Sequence, residues 1–289
     1  MISRPVSPDA GTPGEPHVGQ ASIELRGVWK TFDGHQVLRG VDLLIRPGES
    51  LTIIGGSGTG KSVLLRLIIG LLKPETGQIL LDGQDIVPLR ERELLRVRRK
   101  VGMVFQGSAL FDSLSVGENV AFALREHTSL GEAEIGARVR EALDLVGLGD
   151  VGRMDPAELS GGMRKRVAVA RAIALPPSIL LYDEPTTGLD PGNVEKIVEL
   201  ILDLKTKLGV TSIVVTHDMP SAMKLSDRIA MLHQGRIAAI GTPEEVQATH
   251  HSLIRDFIEG RLQPRADGEP VAAERTGEGA GASREVKPR

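Results

Sequence analysis

Gly55-Gly56-Ser57-Gly58-Thr59-Gly60-Lys61-Ser62 fills every position of the pattern G-x-x-x-x-G-K-[ST]. On its amino side Ser50-Leu51-Thr52-Ile53-Ile54 reads as a short buried strand, and on its carboxyl side Ser62 to Ile69 reads as a helix. A glycine-rich turn between strand and helix lets successive backbone N–H groups converge on phosphate oxygens beside the positive end of the helix. Lys61 then reaches the β- and γ-phosphates of a nucleotide such as ATP, and the Ser62 hydroxyl is suited to ligate Mg²⁺. All eight residues are candidate nucleotide contacts.

A second stretch, Ile179-Leu180-Leu181-Tyr182-Asp183-Glu184, describes a buried parallel strand that ends in carboxylates at the sheet edge where ligands of open α/β sheets sit. Asp183 is the candidate partner of Ser62 on the metal, and Glu184 the candidate base for the attacking water. A third, Leu159-Ser160-Gly161-Gly162-Met163, runs into Arg164-Lys165-Arg166 and an alanine- and valine-rich segment. Ser160 suits an N-cap. The three cations oppose the dipole of the helix they open, so they read either as a solvated basic face or, with the exposed Gly161-Gly162 backbone, as a second phosphate contact.

The remainder of the 289 residues sets bounds. That length can bury a sizeable core. A net charge of −3 gives no global reason to expect nucleic acid, and five Phe, one Tyr and one Trp leave no basic-aromatic interleaving. The absence of cysteine excludes disulfides and thiolate metal sites. No apolar run reaches the ~18 residues of a membrane span, since Arg66 interrupts the richest one. Residues 1–20, with Pro5, Pro8, Pro13 and Pro16, read as a disordered lead without a signal-peptide core, and 263–289 as a disordered tail. Between them Ala21–Phe32, Val37–Ile45 and Gly77–Leu81 read as strands, about 110–158 as helical, and Ile179–Tyr182 and Ser212–Thr216 as strands flanking a helix over Val194–Leu208. Alternating strand and helix implies a mostly parallel α/β sheet. Val246, Leu253, Ile254, Phe257, Ile258 and Leu262 recur at helical spacing, which predicts a terminal helix over Glu244–Leu262 packed on its own domain.

Taken in order, these motifs resemble those of ATP-binding cassette (ABC) ATPases over about residues 22–260. The resemblance implies a P-loop NTPase fold of the α/β class: a RecA-like core, an antiparallel β subdomain, and a helical subdomain inserted at about 107–175 of an ATPase domain spanning 21–262. It also implies that the signature at Ser160, Gly161 and Gly162 closes over ATP held by a second copy of the chain. By the same likeness Phe32 stacks on adenine, Gln106 touches Mg²⁺ and senses a transmembrane partner, Asp190 lies in the loop crossing the dimer, and His217 contacts the γ-phosphate. The implied catalytic set is Glu184, His217 and Lys61, with Ser62, Gln106 and Asp183 at the metal.

A narrower likeness rests on Val104 through Phe122 and on Met163 at the signature's fifth position. These resemble the ATPases of the maintenance-of-lipid-asymmetry and Mce-type lipid transporters. That likeness implies an integral permease, a membrane-anchored Mce-type lipid-binding subunit, phospholipid as cargo, and a place on the cytoplasmic face of a bacterial inner membrane. An ATPase of another importer or exporter, such as a polar amino acid or lipoprotein system, is the alternative. A soluble cassette of DNA repair or translation is a third reading, but no tandem cassette, zinc cysteines or basic arm accompanies it.

Overall fold

A computed structural model describes residues 22–249, 252–259 and 261. The expected lead over 1–20 and tail over 263–289, with Leu262, lie outside the described residues. Two sheets organise the described residues. The first is antiparallel, of order β2-β1-β4-β5, from β1 (Ile23–Phe32), β2 (His35–Ile45), β4 (Thr76–Leu81) and β5 (Gln84–Asp85). The second has the order β10-β9-β3-β8-β7-β6. Its members are β3 (Ser50–Ile54), β6 (Val101–Val104), β7 (Ile179–Asp183), β8 (Thr211–Thr216), β9 (Arg228–His233) and β10 (Arg236–Gly241). All its pairings are parallel except β10 on β9.

The apolar runs of β7 and β8 are buried at every position, as expected of central strands covered on both faces. Their alternation separates two cores. Ile179, Leu181, Ile213 and Val215 face a cluster shared with the antiparallel sheet and α1 (Lys61–Ile68). Leu180, Tyr182 and Val214 face the helices α3 (Val116–His127), α4 (Glu132–Leu145), α5 (Gly161–Ile173) and α6 (Pro191–Leu208). Helices α3 and α4 fall within the stretch expected to be helical. Ser115 caps α3 by accepting from the Glu118 N–H while the Glu118 carboxylate accepts from the Ser115 N–H, a reciprocal box that fixes where the helix begins.

The carboxyl-terminal segment differs from its expected single helix. It breaks into α8 (Pro243–Ala248) and α9 (Ser252–Ile258), with Thr249 in extended conformation closing α8. Val246 and Ile254 nevertheless meet in one small core with α7 (Met219–Leu225) and β9, so the apolar periodicity reflects a shared packing target rather than a continuous helix. Helix α2 (Glu91–Arg98) lies between β5 and β6. Among the described residues, no helix is long and apolar enough to cross a membrane.

Candidate nucleotide site

Four parallel strands deliver the candidate residues to one edge. The register pairs Ile54 with Thr216, Asp183 with Val215, and Val104 with Tyr182, so the strands end nearly level. The next residues are therefore neighbours: Gly55 after β3, Glu184 after β7, His217 after β8, and Gln106 shortly after β6. Physical convergence follows from register, whatever the distance along the chain.

The Gly55–Ser62 loop opens α1 through Gly60, whose φ of 101° belongs to the left-handed region that a side chain resists. Lys61 is buried, and its Nζ donates to the Gly55 and Gly56 carbonyls, each at 2.9 Å. Burial lowers its pKa below the ordinary 10.5, while the charges of Glu184 and Asp183 act in the opposite direction. Ser62 Oγ donates to Asp183 Oδ1 at 2.7 Å. A hydroxyl and a buried carboxylate thus stand side by side at the phosphate loop, a hard-oxygen donor pair of the type Mg²⁺ takes when substrate phosphates and water complete its shell. These residues fit the ion.

Glu184 is buried, at 7 % relative exposure, and has φ of 50°, uncommon for a residue with a side chain. Several contacts hold it there. Its N–H donates to the Val215 carbonyl at 2.9 Å, and its Oε2 accepts from Thr187 Oγ1 at 2.9 Å and lies 2.9 Å from His217 Nδ1. Oε1 is 3.8 Å from Lys61 Nζ. The exposed His217 ring, the Thr187 hydroxyl and the Lys61 ammonium therefore surround one carboxylate suited to accept a proton. Thr187 was missed in the sequence. Its position three residues after Glu184, within Pro185-Thr186-Thr187-Gly188, is a turn signal that could have pointed to it.

The remaining candidates occupy two further places. Phe32, at 39 % exposure, ends β1 with the Lys30 ammonium 5.1 Å from its ring centroid, so it is a surface ring and not a core phenylalanine. Ser160 caps α5, accepting from the Met163 N–H at 3.3 Å. Asp190 caps α6, accepting from the Asn193 N–H and from Asn193 Nδ2. The two caps adjoin: a Cβ at Gly162 would lie 3.0 Å from Asn193 Oδ1, so glycine is what lets the helix starts approach. Gln106 is exposed, and its carbonyl accepts from Lys165. Lys165 departs from the reading of the basic run as a solvated face, since it is buried in its own chain.

Comparison with known proteins agrees with this geometry. The sequence profile described as "ABC transporter" matches residues 38–187. The chain is 42 % identical over 254 residues to the probable ribonucleotide transport ATP-binding protein mkl of Mycobacterium tuberculosis, covering 88 % of this chain and 70 % of that one. It is 41 % identical over 275 residues to the methionine import ATP-binding protein MetN of Corynebacterium efficiens, covering 92 % and 76 %. With the intermembrane phospholipid transport system ATP-binding protein MlaF of Escherichia coli it shares 39 % identity over 238 residues, covering 82 % and 88 %. Among solved structures, the dimeric post-hydrolysis ATP-binding cassette MJ0796 bound to ADP and Pi superposes with a TM-score of 0.72 at 36 % identity, covering 76 % of this chain and 98 % of that one. A phosphate loop, a facing carboxylate pair and a capped signature helix on this scaffold make the chain a member of the ABC transporter family, an ATP-binding ATPase subunit.

Proposed function

We propose that this ATPase drives an integral permease that moves phospholipid between bacterial membranes, from the cytoplasmic face of the inner membrane, beside an Mce-type lipid-binding subunit. The observation that carries the cargo is the Val104–Phe122 stretch together with Met163, supported by likeness to MlaF over most of both chains. Relatives named for ribonucleotide and methionine transport favour the second reading, a different cargo on the same engine. Purification of the tagged chain in mild detergent, with proteomic and lipid analysis, decides between them. A permease with bound phospholipid is expected; a permease without lipid, copurifying with a polar-solute binding protein, overturns the lipid reading.

The catalytic cycle follows from the residues. ATP's phosphates lie along the N–H groups of Gly55–Ser62, with Lys61 released from the loop carbonyls to the β- and γ-oxygens. Ser62 and Asp183, joined on the family likeness by Gln106, would hold Mg²⁺, and the ion would offset phosphate charge. Glu184 takes the proton of the attacking water, held by Thr187 and His217 so that the acceptor oxygen is preset. Ser160–Gly162 of a second copy supplies the other wall of each pocket, in an isologous dimer with two composite sites. Replacing Glu184 by Gln leaves the loop and metal side intact but removes the base. Turnover is expected to fall by about 10²-fold or more with ATP binding kept, and a closed dimer to accumulate on size exclusion with ATP. Turnover near the parent rate removes Glu184 from the role.

A further inference from the structure

Lys165 is a cation that the reaction scheme does not use. It sits one turn into α5, the helix that begins with Ser160–Gly162, at 6 % relative exposure. Its ammonium turns inward and donates to two main-chain carbonyls from different parts of the site, that of Gln106 and, at 3.3 Å, that of Glu184. Burial lowers its pKa, and the charges of Glu184 and Asp183 oppose that shift. A buried ammonium held by carbonyls is costly to place, so its position is over-determined by what it binds.

One of the two carbonyls belongs to strained backbone, and the other lies just before such a stretch. Glu184 keeps its left-handed φ of 50° against a side-chain penalty, and its carbonyl accepts from Lys165 and from the Thr187 N–H at 3.3 Å. Beyond Gln106 the chain passes through two more left-handed residues, Ser108 at 64° and Ala109 at 48°. Their carbonyls accept from Arg171, nearly two turns further along the same helix, at 2.9 and 2.6 Å. One helix thus grips both the segment after β6 and the turn after β7.

We propose that Lys165 is a positioning residue for hydrolysis: by tying the signature helix to the Gln106 and Glu184 carbonyls, it fixes the backbone from which the Glu184 carboxylate reaches the attacking water. The inference rests on the reading of Glu184 as the base. The carbonyls that Lys165 holds lie outside the phosphate loop, so its loss spares nucleotide binding and slows the chemical step.

The test uses the full chain with Mg·ATP. Lys165→Met keeps the unbranched apolar stem and removes the N–H donors; kcat is expected to fall about tenfold, the scale of a small misplacement of a reacting group. KM and the dissociation constant for a fluorescent ATP analogue stay within about twofold, because the Gly55–Ser62 loop is untouched. Lys165→Gln restores two N–H donors without the charge and is expected to recover kcat to within about threefold of the parent. Should the Met variant not fold, Lys165→Ala, a strong helix former with no added bulk, takes its place with the same expectation. The proposal is overturned if the donor-free variant keeps the parent kcat, if the Gln variant falls as far as the donor-free one, or if the loss sits in KM and nucleotide affinity. Glu184→Gln run in parallel separates the two readings. If Glu184→Gln is inactive while the donor-free variant is fully active, Lys165 alone is removed; if Glu184→Gln is active, the base on which the proposal stands is removed with it.

Discussion

Tyr182→Phe should make this protein more stable by removing an oxygen. Tyr182 is fully buried on β7, an inner strand of the six-stranded sheet, and among the described residues its hydroxyl has no hydrogen-bond partner. Burial raises its pKa, so the group remains a neutral phenol throughout the working range. An unpaired hydroxyl withdrawn from water costs about 1–3 kcal/mol on protein mutational scales. Phenylalanine keeps the ring and its packing among Leu180, Val214 and the α5 side chains. The space left by one oxygen is smaller than a water molecule and forfeits roughly 0.5 kcal/mol of contacts. The balance favours the variant by about 1 kcal/mol, or roughly 2–4 °C in Tm for a domain of this size. Urea unfolding followed by far-UV circular dichroism, with the m-value checked for constancy, measures it. ATP turnover should stay within about twofold, since the substitution leaves the backbone before Asp183 in its register. A loss of stability beyond about 0.5 kcal/mol refutes the reasoning, because it means the hydroxyl has a partner, such as an enclosed water, that the protein uses.

Two further predictions follow from buried polar groups. Asn119, fully buried in α3, accepts from the Phe111 N–H at 2.8 Å and directs Nδ2 at the Phe111, Leu114 and Ser115 carbonyls, each at 3.0 Å. Its amide has only two hydrogens, so one of the three is shared, and Asn119→Ala removes about three effective bonds, expected to lower unfolding free energy by about 2–4 kcal/mol; a loss under about 0.5 kcal/mol in urea would show the loop to be self-supporting. Lys61→Met probes pH dependence. Because the folded pKa lies below the ordinary 10.5, the unfolded chain binds the proton more tightly, and stability of the parent rises with pH between the lowered value and 10.5. Nucleotide-free Lys61→Met should therefore melt above the parent at pH 7, and the gap should shrink as pH climbs toward 10; a gap that is constant or widens rejects the sign.

Local chemistry was the legible part. The glycine loop, the apolar run into Asp183 and the Ser160 cap each write their structure within a few residues, and each lies where the sequence puts it, with strand and helix ends moved by one to three residues. The edges were not legible. β10 has only intermediate and exposed residues, so no alternation distinguishes it from a loop, and its turn from β9 uses Gln234-Gly235 rather than a stronger hairpin pair. The break between α8 and α9 carries neither Gly nor Pro to announce it, and the small core around Val246 and Ile254 was satisfied by two short helices as well as by one. Lys165 was illegible for a different reason. Helical spacing gives the direction of a side chain from its own axis, whereas what lies in that direction depends on the segments that follow β7 and β6, 19 and 59 residues away in sequence.

The same dependence on register explains why the site tolerates a divided scaffold. Ser62 and Asp183 meet at 2.7 Å although 121 residues separate them, because β7 and β3 both pair with β8 and carry their ends to one level. A slip of one residue in β7 would move Asp183 about 3.3 Å along the strand and exchange its faces. Ile179 and Leu181 would then point at the helical core and Leu180 and Tyr182 at the core beneath the antiparallel sheet, so each cluster would lose residues of one shape and receive those of another. The bulky Tyr182 ring has room on one side only if that side is built for it. Packing of two dissimilar cores thus polices the position of a carboxylate that belongs to neither core.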